Sequence, residues 1–318
     1  MNYVLNKLRP PRYIKKKKKV KAVTKKEVCS PTTEPSDSTT EFHFHNRFHI
    51  GDNLLNLKFF LYISPILKEQ NITIVYYYNK KWPYNKEETL QSYLDPDVVK
   101  IRPSYERSSL NEKSRNSMEL WMGNSIDDVV YTDTEIYFDL YYKKILSHLN
   151  IVNPALSTSL WIDEPFLLQV YDTLEPQYKN IDILILNTIG RSAQCDDTSD
   201  LTLLALHLSK RFTIVTAEPV DGIPSADTLT LQQIGAISTH AKYIISTCSG
   251  PQIPCFNKYA KEYVKKWFFF TSGINFVFNS IDYLHTVMDT RPIQKYFDAL
   301  SSLHRKSVYR THSEAGSL

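Results

Sequence analysis

The sequence predicts an α/β protein in which two Rossmann-like βαβ domains face a cleft. Short runs of β-branched and aromatic residues alternate with segments in which apolar residues recur every three or four positions. Strands that alternate with helices in this way indicate parallel sheets. Residues 150–165 contain two prolines and little periodicity, and they separate two such sets of elements. The 318 residues, 42% of them hydrophobic, suffice for two domains.

The first set of elements is predicted to begin near Glu41. Its strands are recognised by β-branched and aromatic residues, as in NITIVYYY at 71–78, and its helices by their apolar spacing. The predicted strands cover residues 42–49, 71–78, 97–101 and 119–122, and the predicted helices cover 52–67, 86–94 and 134–149. A further helix at 164–174 is expected to bridge the two domains.

The second set repeats the alternation more regularly. Strands are predicted at 181–187, 212–216, 243–247 and 267–271, and helices at 198–210, 230–240, 249–259 and 292–303. The expected organisation is a tail and linker at 1–40, an N-terminal domain at 41–165, a C-terminal domain at 166–305 and a tail at 306–318.

The positive charge is concentrated before the first predicted strand. Residues 1–28 carry 11 Lys and Arg with one acid, so the net charge of +4 leaves the remainder acidic. That distribution argues against a basic nucleic-acid-binding domain, which carries its charge on a folded face. Residues 1–40, which end in a Ser/Thr/Pro-rich linker, are expected to be disordered. A weak contact of residues 1–28 with a membrane or a nucleic acid is an open possibility.

The compartment is expected to be the cytoplasm. No apolar run approaches the roughly 20 residues of a membrane span, and residues 1–13 lack the apolar segment of a signal peptide. The four cysteines, at 29, 195, 248 and 255, show neither a CxxC pair nor metal-ligand spacing, and reduced thiols are expected. His43, His45 and His49 recur at strand spacing. A metal site would need further ligands, so an outward-facing strand surface is preferred and no metal is expected.

The loop that follows the first strand is the first candidate site. Gly51 permits a tight turn there, and Asp52 stands where the next helix begins. Asp52 has two interpretations, a helix cap or a carboxylate at the cleft mouth that takes a proton from a hydroxyl. Asn53 and Asn56 are candidates to orient an acceptor.

Two later loops are candidates for a phosphate site. The loop Cys248-Ser249-Gly250-Pro251-Gln252 follows an apolar strand and precedes a predicted helix, whose free N–H groups favour an anion. The loop after 181–187 carries Arg191 and Ser192, and an Arg can bind a diphosphate bidentately. Glu218 is a weaker candidate for a ribose hydroxyl. An ordinary β–α turn and a solvated surface Arg are the alternatives, and a catalytic cysteine is not favoured.

Two segments resemble heptosyltransferase-like glycosyltransferases of family 9. GDNLLNLKFFLYISPIL resembles their first loop and helix, and TLTLQQIGAISTHAKYIISTCSGPQ resembles their later segment, which ends in D-[ST]-G-P. The resemblance implies the GT-B architecture and a nucleotide-sugar donor used without a metal. It implies that Asp52 is the base and that Cys248 to Pro251 cradle the donor diphosphate. Three departures are Cys248, where the family has Asp, Ile253, where it has His, and Arg191, where the family often has a Lys further on.

The sequence therefore predicts a glycosyltransferase of glycan biosynthesis. A sugar is expected to pass from a nucleotide-sugar to the hydroxyl group of a glycan or another acceptor, with inversion at the anomeric carbon. The nucleotide-sugar is a co-substrate, and no cofactor is expected. Two alternatives remain open. One is a non-catalytic nucleotide- or sugar-binding module of the same fold, and the other is a nucleic-acid-associated protein that acts through its Lys-rich tail.

Overall fold

Two parallel β-sheets with helices packed on them form the part of the chain that this computed structural model describes. The described residues are 39–81, 86–104, 116–120, 133–153, 155–189, 199–270, 277–287 and 289–314. The predicted tail and nearly all of its linker lie outside them.

The first sheet has four parallel strands in the order β3-β2-β1-β4. The strands are β1 (Thr40–Asn46), β2 (Ile72–Asn79), β3 (Val99–Ser104) and β4 (Ser117–Glu119). Burial alternates along β1, where Phe42 and Phe44 are buried and His43 and His45 are half-buried. This period of two places the phenylalanines against the helices on one face of the sheet.

Four helices accompany the first sheet, namely α1 (Ile50–Tyr62), α2 (Ser64–Glu69), α3 (Glu87–Gln91) and α4 (Thr134–His148). The predicted helix at 52–67 is thus two helices separated at Ile63. The reason is Pro65, which lacks the N–H that a continuous helix requires and is tolerated only in the first turn of a new one.

The second sheet has five parallel strands in the order β6-β5-β7-β8-β9. The strands are β5 (Ile183–Leu186), β6 (Ile214–Thr216), β7 (Tyr243–Thr247), β8 (Lys266–Phe270) and β9 (Tyr283–Thr286). The helices are α5 (Phe166–Thr173), α6 (Ser199–Leu208), α7 (Leu231–Ser238), α8 (Lys258–Tyr263) and α9 (Arg291–Glu314), with 3₁₀ helices at Pro176–Tyr178 and Gly250–Cys255. Strand β9 was not predicted.

Two predicted helices of the second half differ in the structure. The helix expected over 249–259 is the 3₁₀ helix Gly250–Cys255 followed by α8. Pro254 lies inside the first of these and cannot donate an α-helical bond, while the side chain of Asn257 accepts from the Ala260 N–H and starts a new helix. Helix α9 runs to Glu314, which is past its expected end at 303 and into the range expected to be a tail.

A single hydrophobic core connects the two sheets. It contains β1 and β2 residues such as Phe44 and Tyr76 together with Trp267 and Phe269 of β8. A second, smaller core fills the space between β5, β6 and helices α6 and α9. Residues 39–318 form one compact unit. The predicted division at residues 165 and 166 lies between the last strand of the first sheet and the first strand of the second, and it remains a prediction.

No helix in the described part of the chain is both long enough and apolar enough to cross a lipid bilayer.

Candidate active site

Each sheet has one point at which the order of its strands reverses. In the second sheet the chain passes from β5 to β6 on one side and returns to β7 on the other side. In the first sheet β1 lies between β2 and β4. Open parallel sheets bind their ligands beside the carboxyl ends of the strands at such a reversal. The reversal points lie at the loop after β1, which leads into the first turn of α1 with Asp52, and at the loops after β5 and β7, which contain Thr188 and Ser249.

The loops from the two sheets are packed against each other. A Cβ atom added to Gly250 would lie 3.1 Å from Cγ2 of Ile50, the first residue of α1. A Cβ atom added to Gly51 would lie 3.7 Å from Cγ1 of Ile253 in the 3₁₀ helix. The structure therefore brings together the predicted acceptor and donor loops, which are about 200 residues apart in the sequence.

Asp52 is a poorly solvated carboxyl group in the first turn of α1. Its side chain is 17% exposed. Burial raises its pKa to about 6, and hydrogen bonds from the backbone N–H groups of Asp52 and His49 oppose that rise. The N-cap residue is His49 and not Asp52, and the His49 side chain makes no capping bond. The carboxyl group thus supports the end of the helix from its first turn without being the N-cap residue, and its role as a base remains a prediction.

The imidazole of His49 lies near this carboxyl group but beyond hydrogen-bonding range, with His49 Nδ1 4.0 Å from Asp52 Oδ2. Burial lowers the pKa of His49, which favours its neutral form.

Asn53 and Asn56 lie behind Asp52 in the interior. Their side chains are 0% and 1% exposed. Tyr76 Oη donates to Asn53 Oδ1 at 2.9 Å and accepts from Asn56 Nδ2 at 3.2 Å, and Tyr141 Oη donates to Asn56 Oδ1 at 2.6 Å. Asn53 Nδ2 donates to the carbonyl of His49 at 2.9 Å. These buried amides are occupied in holding the start of α1, and direct contact with an acceptor remains a prediction.

Three hydroxyl groups line the reversal point of the second sheet. Thr188 Oγ1 and Ser249 Oγ are 2.5 Å apart. Thr247 Oγ1 lies 3.2 Å from Ser249 Oγ and donates to the carbonyl of Thr188 at 2.6 Å. The described parts of the loops after β5 and β7 are thereby linked through their hydroxyl groups.

Gln252 and Cys248 hydrogen-bond to each other within the loop after β7. Gln252 is 1% exposed, accepts from Ser246 Oγ at 3.3 Å and donates to Cys248 Sγ at 3.7 Å. The backbone N–H of Cys248 donates to the carbonyl of Phe270 at 3.3 Å. The structure therefore gives Gln252 a supporting position, while its predicted contact with a donor remains a prediction.

Glu218 is exposed just beyond β6, next to the same reversal point. Its backbone N–H donates to Asn187 Oδ1 at 2.8 Å, and Asn187 Nδ2 donates to its carbonyl at 3.4 Å. Asn187 thereby fixes the backbone of Glu218 relative to the end of β5. The other two predicted donor ligands, Arg191 and Ser192, lie outside the described residues.

No three His, Cys, Asp or Glu side chains lie close enough to hold a metal ion among the residues described. His43 pairs instead with Glu41 at 3.1 Å and stacks on Tyr77. Metal independence remains a prediction.

Sequence reasoning missed two features of this region. One is Thr188, whose place at the site follows only from its contact with Ser249 in the loop after β7. The other is Lys58, which pairs with Glu164 at 2.9 Å in the interior. The signal for Lys58 was present in the sequence, because a single lysine interrupts the apolar stretch LNLKFFLY.

The similarity of this protein to known proteins lies in its structure and not in its sequence. No protein-family model matches the sequence, and no curated protein matches it. The structure resembles that of Escherichia coli heptosyltransferase WaaC solved with ADP-2-deoxy-2-fluoro heptose, with a TM-score of 0.51 over 82% of this chain and 99% of that one, at 8% identity. The chain shares the fold of this heptosyltransferase.

The heptosyltransferase fold confirms the predicted Rossmann-like, GT-B-like architecture. The same enzyme solved with ADP gives a TM-score of 0.50 over 82% of this chain and 99% of that one, at 8% identity. A glycosyl transferase family 9 protein from Veillonella parvula gives 0.46 over 81% and 89%, at 13% identity.

Proposed function

We propose that this protein is a glycosyltransferase that moves a sugar from a nucleotide-sugar to an acceptor hydroxyl. The observation that carries the proposal is the packing of Gly250 against Ile50. It brings the first turn of α1, which carries the buried carboxyl group of Asp52, against the loop that contains Ser249, although the two follow strands of different sheets. A general base and an anion site are what a sugar transfer to a hydroxyl requires.

The proposed reaction is a single displacement with inversion. The acceptor hydroxyl attacks the anomeric carbon and gives its proton to Asp52. The bond between that carbon and the diphosphate oxygen breaks, and its electron pair leaves with the diphosphate. The Ser249 and Thr188 hydroxyls, the backbone amides at Ser249 and Gly250, and Arg191 stabilise the charge that develops on the leaving group. No metal is required in this scheme, because the hydroxyl groups, the backbone amides and the Arg191 cation would together offset the charge of the diphosphate.

The donor class is supported by the fold and by the chemistry of the loop. The heptosyltransferase WaaC was solved with ADP and with an ADP-heptose analogue. In this chain a thiol, Cys248, stands where the resembling family has a carboxylate, so this position adds no carboxylate charge next to a bound diphosphate. The base of the nucleotide, the sugar and the acceptor are left open. The cytoplasm and glycan biosynthesis are the setting that we propose.

The donor site is tested first, because nucleotide binding needs no knowledge of the acceptor. Thermal unfolding is measured with UDP, GDP, ADP and CMP and their sugar conjugates, without metal. A ligand at 100 times its Kd adds about 2.7 kcal/mol of stability, so one nucleotide family should raise the Tm by several degrees.

Ser249→Ala is the matched variant for this experiment. Loss of one hydrogen bond to a charged group should weaken binding of that nucleotide about tenfold. Ser209→Ala, at the exposed end of α6, is the control and should bind normally. Absence of any shift in a folded sample would refute the donor site.

A non-catalytic nucleotide-binding module is the second candidate. The observation that favours it is Ile253, which stands where the resembling family has a histidine and which packs on Gly51. This candidate predicts the same thermal shift with no hydrolysis or transfer of the matching nucleotide-sugar, and product analysis distinguishes the two.

A further inference from the structure

A lysine is buried in an otherwise apolar stretch of helix, and the proposed reaction does not use it. Lys58 lies on α1, six residues beyond Asp52, and its side chain is 1% exposed. Removing an ammonium group from water without partners is very costly. Its contacts must therefore be strong enough to offset that desolvation, and they show what the residue holds in place.

The ammonium group of Lys58 has two hydrogen-bond acceptors and one ion-pair partner, which come from two distant parts of the chain. It donates to the carbonyl oxygen of Ile253 at 3.2 Å and to that of Phe256 at 3.1 Å. It lies 2.9 Å from Oε2 of Glu164, which is 4% exposed. Two of the three N–H groups of the lysine thus have carbonyl acceptors, and the nearby carboxylate balances the charge.

The two carbonyl groups belong to a segment whose own backbone hydrogen bonds are few and weak. Ile253 lies in the 3₁₀ helix Gly250–Cys255, and Phe256 follows it. Pro251 and Pro254 have no N–H to donate, and 3₁₀ hydrogen bonds have weaker geometry than α-helical ones. Lys58 supplies donors from outside the segment.

Lys58 holds the end of this segment against α1, whereas its beginning is packed against the first residue of the same helix. The first contact is the pair of hydrogen bonds to Ile253 and Phe256. The second is the close approach of Gly250 to Ile50. Asp52 lies on α1 between these two points of attachment.

We propose that Lys58, with its charge balanced by Glu164, is a positioning residue that fixes the 3₁₀ helix and the loop Cys248–Gln252 relative to Asp52. The catalytic consequence rests on the proposed function, whereas the fixing of the segment does not. A displacement of this segment would carry the donor contacts of Ser249 and Gly250 with it and would change the distance from the bound donor to the base.

The test compares two variants with a matched control. Lys58→Met leaves a buried carboxylate unpaired and should strongly destabilise the protein. Lys58→Met with Glu164→Met replaces the pair by apolar side chains of similar length and should restore the Tm. Lys68→Met is the control, because Lys68 also lies 2.8 Å and 3.0 Å from two carboxylates, of Asp95 and Asp97, but is exposed on α2.

Three quantities are measured for the double variant. Amide exchange over residues 249–257 should be about tenfold faster than in the wild type, because the segment has lost its outer donors. The Kd for the nucleotide should stay within about threefold, while kcat should fall by about 10- to 100-fold, as expected for a misplaced reacting group. Lys68→Met should match the wild type in all three.

The outcomes separate this proposal from the proposed function. Wild-type exchange rates in the folded double variant would overturn the positioning role, whether or not the protein transfers sugar. Faster exchange with unchanged kcat would confine Lys58 to a structural role and overturn its catalytic consequence. If the wild type transfers sugar from no donor, the proposed function fails, and the exchange measurement still decides whether Lys58 fixes the segment.

Discussion

At the scale of single residues, burial determines the chemistry of Asp52. It is the largest influence on the pKa of this carboxyl group and outweighs the two backbone N–H groups that favour the charged form. With a pKa of about 6 the group is still ionised at pH 7 and binds a proton more readily than an exposed aspartate does. That combination suits a general base.

The first prediction concerns the pH dependence of sugar transfer. For the wild type, kcat/KM should rise with pH through about 6, as Asp52 loses its proton. Asp52→Asn should lower kcat by about 10²- to 10⁴-fold and remove this limb of the profile. Asp97→Asn, on the surface, is the control. Steady-state kinetics between about pH 5 and 8 measure this profile. A variant that kept the wild-type rise in kcat/KM with pH would contradict the role of Asp52.

The second prediction concerns stability. A carboxyl group whose pKa is raised by folding stabilises the folded state below its unfolded pKa, and this contribution is lost as the pH rises through about 6. Asp52→Asn cannot titrate. Relative to the wild type, the variant should therefore gain stability between about pH 4 and pH 7, by at most about 3 kcal/mol. Urea unfolding of both proteins at the two pH values measures the change, and a constant difference would contradict it.

At the scale of elements, the 3₁₀ helix Gly250–Cys255 is confined from two sides. On one side Gly250 touches Ile50 of α1. On the other side Gly235 of α7 touches Pro254, because a Cβ atom added to Gly235 would lie only 2.9 Å from Pro254 Cβ. Two glycines therefore set how closely the neighbouring helices approach the donor loop.

The third prediction uses the first of these contacts. Gly250→Ala should push the 3₁₀ helix away from α1, because its new Cβ would meet Ile50 Cγ2 at 3.1 Å, and should weaken nucleotide binding and lower the Tm. Ile50→Ala removes Cγ2, so the double variant should recover much of the loss. Gly51→Ala, with its nearest neighbour at 3.7 Å, is the control for stability. Additive effects of the two substitutions would argue against this contact.

The elements also show how far the sequence could predict the fold. Strand β7 has the predicted bounds, because YIIST is apolar, β-branched and followed by turn residues. Strand β9 was missed because YLHT is short and its place is set by pairing with β8, which local pattern does not reveal. The 3₁₀ helix was predicted as an α-helix because Pro251 signals a helix start, whereas Pro254 and the external bonds from Lys58 decide its form.

At the scale of the whole molecule, the shared core and the meeting of the loops are long-range properties. The sequence indicated Asp52 and Ser249 separately, from local turn and helix patterns. It could not show that Gly250 packs on Ile50, or that Lys58 reaches Ile253, because those pairs are about 200 residues apart and follow from how the sheets join. The resemblance to the family predicted that Asp52 and the loop of Ser249 belong to one site, whereas the geometry of their approach follows from how the two sheets pack.

The fourth prediction concerns cooperativity. Because the main core contains residues of both sheets, neither half has a complete interior of its own. Urea unfolding followed by far-UV circular dichroism and by tryptophan emission should give coincident single transitions. Two separated transitions would show that the halves unfold independently and that the shared core contributes little.

The aromatic cluster beneath the donor loop gives this protein an intrinsic optical reporter. Trp267 is fully buried and stacks on Phe256 with ring centroids 5.1 Å apart, and Trp161 lies 6.2 Å from Trp267. Phe256 directly follows the 3₁₀ helix, and its carbonyl accepts from Lys58. Replacing the chain's other two tryptophans, Trp82 and Trp121, by Phe would leave emission from this pair alone. Ligand-driven movement of the loop would then be visible as a fluorescence change in real time, without any attached dye.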